Sequence, residues 1–259
     1  MRLFRLGPDG FYAVEDAAGA VRFLYSDPFD TPPDEWEYGR VVGSDLPSLL
    51  PPVRPGKIVG VGRNYAEHAA ELGNAVPEEP LLFLKSPGTV VGPGAPVVLP
   101  PESSDVQFEG EIGVVVRQRL SRATPELAAE AILGVTAACD VTARDLQRGD
   151  ATFARAKSFD SFCPVGPAIR IAAPLDDLDI VTRVNDEERQ RASTRQMVFG
   201  IADLVAFISR MMTLEAGDLV LTGTPSGVGP LADGDRLEVE VSGVGVLANP
   251  VRLWKARHA

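Results

Sequence analysis

A chain of 259 residues is long enough for one large core, or for a small and a large domain. Hydrophobic residues make up 45% and charged residues 24%, and no apolar run approaches the roughly 18 residues of a spanning helix, so a membrane partner is not expected. Acidic residues outnumber basic ones 36 to 25, and the net charge of −11 opposes the counterion release that drives nucleic-acid binding, so that partner is excluded too.

At the start, MRLFRLGPDG has no apolar run and no small-residue cleavage site; it is not a signal peptide, and a cytoplasmic location is expected by default. Residues 1–53 are expected to form a small β-rich unit, because the runs 11–14 and 21–25 are broken by Asp, Gly and Pro in the manner of hairpins. Leu50-Pro51-Pro52-Val53-Arg54-Pro55-Gly56 interrupts helix and ladder alike and marks the boundary of a main domain over 54–259.

The main domain opens on a buried strand over 57–62. Gly60 and Gly62 invite a dinucleotide reading, but Tyr65 stands where the third glycine is needed, and that reading fails. A short helix is expected over 64–73, with Asn64 as cap, Glu67 as capping-box acid, and Gly73-Asn74 as the stop. On it, His68 and Glu71 are three apart and share a face. Two readings fit: an exposed helix with an incidental pair, or a carboxylate orienting an imidazole for general-base work.

Further β-like runs follow at 81–84, 112–116, 168–171, 219–221 and 237–241. Thr124-Pro125-Glu126 starts a helix. The apolar residues Ile201, Leu204, Val205, Ile208, Met211 and Met212 follow the helical period over 201–212. With no regular strand and helix alternation and no internal repeat, the class is mainly β (α+β), with a few helices at its edges. Cys139 and Cys163, the only two cysteines, lack zinc-site spacing and are expected to be reduced, buried thiols.

In Gln107-Phe108-Glu109-Gly110-Glu111-Ile112-Gly113-Val114-Val115-Val116 an apolar strand is headed by two glutamates two residues apart. On a strand both point to one face with Cα atoms roughly 6–7 Å apart, close enough to meet on one hard cation. Glu238 and Glu240 repeat the spacing, but clean alternation there describes a strand with one wet face, so those two are expected in solvent. Residues 112–116 are apolar on both faces, and charge at the head of such a strand needs a partner. Metal binding and a surface turn both remain open. A third acid, Asp140, ends an apolar run; Thr142 and Asp145 have capping-box spacing for a following helix, and Asp140 reads as ligand or as cap. The loop from Thr222 to Gly229 is glycine-rich, but without the lysine of a phosphate loop it reads as a tight turn.

Five ordered blocks make the chain from about Lys57 onward resemble the fumarylacetoacetate hydrolase family. They are Val61-Gly62-Arg63-Asn64-Tyr65 with His68; Phe108-Glu109-Gly110-Glu111; Asp140-Val141-Thr142-Ala143-Arg144-Asp145; Lys157-Ser158-Phe159-Asp160 with Cys163-Pro164; and Thr222-Gly223-Thr224-Pro225-Ser226-Gly227-Val228-Gly229. The resemblance implies a mixed β-sandwich roll, usually homodimeric, with Mg2+ or Mn2+ held by Glu109, Glu111 and Asp140. It implies that a small 2-oxo or 2-enol carboxylic acid chelates the metal, which stabilises an enolate. Lys157 then supports the negative charge, and His68 with Glu71 forms a catalytic pair on a lid. Arg63, Tyr65, Arg144, Gln147 and Thr224 become substrate contacts. Cys139, where relatives often have Asn, and Phe153, where they often have Trp, depart from the pattern and bear on pocket shape.

Three outcomes share that chemistry: hydrolysis of an acylpyruvate, decarboxylation of an oxaloacetate-like acid, and isomerisation of an enol diacid such as 2-hydroxyhepta-2,4-diene-1,7-dioate. The presence of both His68 and Glu71 favours C–C cleavage, with isomerisation as the alternative. Outside catalysis, a silent metal- or 2-oxo-acid-binding scaffold and an extracellular calcium-binding β-domain are the competing classes; the intact Glu109, Glu111, Asp140, Lys157 and His68 oppose the first, and the lack of a signal-peptide pattern together with Lys157 and His68 opposes the second.

Overall fold

The computed structural model describes residues 1–16, 18–43 and 48–256. Strands dominate, as expected. The largest sheet has 12 strands, and its main path runs Tyr38–Val41, Val21–Leu24, Phe11–Glu15, Arg2–Leu6, Cys163–Ile171, Ile132–Cys139, Gly110–Val116, Leu219–Leu221, Ile58–Gly62, Leu81–Lys85. A five-stranded sheet orders Glu187–Ser193, Asp179–Val184, Arg236–Val241, Gly245–Leu253, Val97–Leu99, and a three-stranded one orders Thr142–Ala143, Val106–Phe108, Gly229–Pro230. Most pairs are antiparallel, but Leu219–Leu221 runs parallel to Ile58–Gly62, and Gly245–Leu253 parallel to Val97–Leu99, so the architecture is mixed β.

The central strand Gly110–Val116 is buried along its whole length. Side chains alternate on a strand. Ile112, Val114 and Val116 face the main core, shared with Ile180, Leu237 and Val239 of the five-stranded sheet. Val115 faces a second core containing Leu133, Ile58 and Leu219. By the same alternation Glu109 and Glu111 lie on the Val115 face, beyond the end of that second core. Sheet pairing runs straight across the boundary expected near residue 53: Leu3 pairs with Ile169, and Leu3, Val14, Leu24 and Trp36 pack with Val53, Ile58 and Val115.

The helices are short and peripheral. Thr124 caps Pro125–Glu130 by accepting from the Leu127 amide at 3.4 Å, and Ile201–Met211 buries Ile201, Leu204, Val205 and Ile208. Among the described residues, no helix is long and apolar enough to cross a membrane.

Three local expectations are corrected. Tyr65, not Asn64, precedes the helix Ala66–Glu71, with no side-chain cap, because the Asn64 amide is engaged across the fold by Phe199 and Thr222. The helix Arg144–Gln147 starts after Ala143 without a capping box; Thr142 belongs to a strand and donates to the Asp140 carbonyl, while Asp145 accepts from Ser103 and Ser104. Glu238 is buried rather than solvated, held by an ion pair with Arg236 at 2.5 Å.

Candidate metal centre

Glu109 and Glu111 flank Gly110 at the head of the central strand. A Cβ at position 110 would sit 1.9 Å from the Thr182 hydroxyl on the opposite face, so only glycine lets the strand lie this close to the five-stranded sheet. Pairing of Gly110 with Cys139 and Glu111 with Ala138 delivers the end of Ile132–Cys139 to the same place, where the Asp140 amide donates to the Glu109 carbonyl at 2.8 Å. The three acids are buried, and one oxygen from each lies within 4.8 Å of the others.

Cations ring this cluster unevenly. Lys157 Nζ donates to Glu109 at 2.7 Å and to Asp140 at 2.5 Å, and Arg144 pairs with the other Glu109 oxygen. Lys85 donates to Asp140 at 2.6 Å. Glu111 accepts instead from the Gly223 amide at 2.6 Å. Burial raises the Glu109 carboxyl, but Lys157 and then Arg144 more than reverse this and hold it below the usual carboxylate range. Burial, followed by the charges of Asp140 and Glu109, pushes Glu111 well above it. Burial opposes the charge on Lys157, and the two carboxylates outweigh it, keeping the ammonium protonated.

Lys157 ends the four-residue helix Ala154–Lys157, and its ammonium lies 4.9 Å from the centre of the Phe83 ring. That ring depends on Gly60, where a Cβ would meet it at 2.2 Å. The glycines that failed as a nucleotide motif therefore serve packing beneath the site. Lys85 was missed by the sequence reading. Its only signal is a lysine closing the apolar run 81–84, which resembles an ordinary charged edge position.

A cavity of about 240 Å³ opens over the cluster. Arg63, His68, Glu109, Glu111, Arg144, Gln147, Lys157 and Thr224 all line it. Arg63 and Phe153 reach it from left-handed backbone, each at φ 59°, a conformation that costs a non-glycine residue of order 1 kcal/mol. Phe83 and Arg148 are further lining residues that the sequence did not single out; Asn74, read only as part of a helix stop, and Phe153, expected to bear on pocket shape, line it as well. Gln147 accepts from Arg144 at 2.6 Å, which aims that guanidinium at Glu109. The Thr224 hydroxyl donates to the Gly110 carbonyl and accepts from Gln190, both at 2.8 Å, so it fixes the glycine loop to the acid-bearing strand.

His68 is buried, and its Nδ1 lies 3.3 Å from Glu71, whose other oxygen accepts the Gly227 amide at 3.0 Å. Gly223 and Gly227 both have positive φ, and a Cβ at 227 would meet the Arg189 carbonyl at 1.9 Å. The loop read as a tight turn thus presents one amide to the acid cluster and another to Glu71 beside His68. Tyr65 sits apart from this cavity, in the main core; burial and, less strongly, Glu111 raise its phenol.

The donor set fits a hard divalent ion. Three carboxylates offer oxygen ligands, one of them short of cationic partners, and the adjoining cavity leaves room for water or substrate. The nearby thiols do not suit a soft-metal site: burial pushes Cys163 up to about 12, and Cys139 is raised by the same cause.

The family described as fumarylacetoacetate (FAA) hydrolase C-terminal matches residues 57–252. Oxaloacetate tautomerase FAHD2A, mitochondrial, of Bos taurus is 41% identical over 222 residues, covering 80% of this chain and 70% of the bovine one. The crystal structure of 5-carboxymethyl-2-hydroxymuconate delta-isomerase from Mycobacterium smegmatis superposes with a TM-score of 0.88 at 39% identity, covering 98% of this chain and 100% of that one. That of 2-hydroxyhepta-2,4-diene-1,7-dioate isomerase from Mycobacterium marinum gives 0.87 at 38%, covering 99% and 100%.

Proposed function

The chain belongs to the fumarylacetoacetate hydrolase family, a family of enzymes, and from that premise we propose that it is a Mg2+- or Mn2+-dependent enzyme that relocates a proton on a small 2-oxo or 2-enol dicarboxylic acid. The observation that carries this reading is that His68, held against Glu71, lines the same cavity as Glu109 and Glu111 of the buried acid cluster. Glu109, Glu111 and Asp140 hold the ion. When bound, it supplies a Lewis acid that draws negative charge onto the substrate's 2-oxygen. Lys157 adds a fixed positive charge beside that position. Arg63 and Arg144 pair with substrate carboxylates, and Gln147 orients Arg144. His68 takes a proton from one atom of the conjugated acid and returns it at another, while Glu71, anchored by Gly227, stabilises the imidazolium between the two transfers. This acid–base cycle needs no nucleophile. The names of the relatives, an oxaloacetate tautomerase, a 5-carboxymethyl-2-hydroxymuconate delta-isomerase and a 2-hydroxyhepta-2,4-diene-1,7-dioate isomerase, accord with it.

C–C cleavage, favoured from the sequence, is the second reading. Phe83 and Phe153, in edge-on contact at 6.2 Å between ring centres, give the cavity an apolar wall that would desolvate a leaving carboxylate and so assist decarboxylation. Assaying oxaloacetate, 2-hydroxyhepta-2,4-diene-1,7-dioate and acetylpyruvate with wild type and His68→Gln separates the two. Isomerisation or tautomerisation should be the fastest activity and should fall about 10²- to 10⁴-fold in the variant. Decarboxylation as the fastest activity, unaffected by His68→Gln, would select the second reading. A homodimer in the cytoplasm completes the proposal; sedimentation at assay concentration tests the dimer.

A further inference from the structure

Arg5 lies on the strand Arg2–Leu6, two residues after Leu3, so alternation places it on the inward face that Leu3 uses to enter the second core. It is 6% exposed. Among the described residues, no carboxylate or carbonyl accepts from its guanidinium, and none of its nitrogens is sealed from solvent without a partner, so the charged end is turned to the open cleft that Arg5 lines. Burial, and after it the charge of Arg54, lowers its pKa from the ordinary value, so two like charges face one another in a chain whose net charge is −11. Both arginines line an open cleft of about 570 Å³ between the N-terminal strands and the turn Pro87–Thr89. Its walls are largely prolines, which have no N–H to offer, together with Leu50, Val53 and Val90. The cleft shares no lining residue with the cavity over the acid cluster.

We propose that this cleft is a second binding site, for a small organic oxyanion whose charged group pairs with Arg5 and Arg54 and whose apolar body lies against Leu50, Val53 and Val90. Guanidinium forks match carboxylate and phosphate oxygens alike. The apolar walls select for an anion with a hydrocarbon or aromatic body over a bare inorganic one.

The probes are 4-bromobenzoate, 4-bromophenyl phosphate and inorganic phosphate, each titrated calorimetrically into the full-length protein and into Arg54→Gln and Arg5→Met. Crystals soaked in either bromo compound locate the bromine by its anomalous signal. The expected result is bromine in the cleft, binding weakened about tenfold in Arg54→Gln, and unchanged turnover in that variant. The better bromo ligand then tells carboxylate from phosphate ester. Arg54 is exposed, so its variant carries the test even if Arg5→Met does not fold. Bromine only in the metal cavity, none at all, binding unchanged in Arg54→Gln, or inorganic phosphate binding as well as the aromatic anions would each overturn the proposal.

Discussion

Glu111 shows most clearly what the site asks of a single side chain. Its carboxyl is held above the ordinary value of 4.5 by burial, then by Asp140 and Glu109. A group raised in this way favours the folded state most below pH 4.5, and that contribution is lost as the pH climbs from there through the raised folded value. A bound cation reverses the penalty; without one, the acid destabilises the fold at neutral pH. In chelator at pH 7, Glu111→Gln should therefore melt at a higher temperature than wild type, and the difference should vanish as the pH is brought below 4.5. An equal or lower melting temperature at pH 7 would mean that Lys157 and the Gly223 amide already compensate the charge. Stability surrendered at a functional position is the usual price of a working site.

Among the elements, the glycine-bearing strands set the site's dimensions. Gly60 accommodates the Phe83 ring on the neighbouring strand, and that ring lies under Lys157. Gly60→Ala should destabilise the fold by about 1–3 kcal/mol through overpacking, and should depress activity further, because Phe83 would be driven toward the cavity it lines. Denaturant titration and turnover check the two effects separately. Much of this layer was legible beforehand. The two-sided apolar run after Glu111 marked a buried strand headed by charge, and the periodic apolar residues from Ile201 marked a helix. What local patterns could not convey was competition from distant partners. Asn64 and Thr142 have the chemistry of caps, yet Asn64 bonds residues 135 and 158 positions away, and Thr142 is drawn into a strand beside Val106–Phe108. Lys85 was hidden for the same reason: its partner, Asp140, is 55 residues along the chain. The local pattern left Asp140 open between ligand and cap and did not point to Lys157; both roles entered as expectations from the family resemblance.

At the scale of the whole molecule, the N-terminal strands and the family-matched segment 57–252 share one continuous sheet and one core cluster. Cooperative unfolding follows from a shared core. Calorimetry should show a single transition with equal calorimetric and van't Hoff enthalpies; two resolved transitions would mark residues 1–53 as an independently folding unit. The central claim is that the assembled chain binds a divalent ion at Glu109, Glu111 and Asp140, and the most direct measurement is titration of metal-free protein with Mn2+, read by the electron paramagnetic resonance of the free ion. Wild type should take up one Mn2+ per chain, and Glu111→Gln and Asp140→Asn should lose that uptake while remaining folded by circular dichroism. Undiminished uptake in both variants would contradict the account.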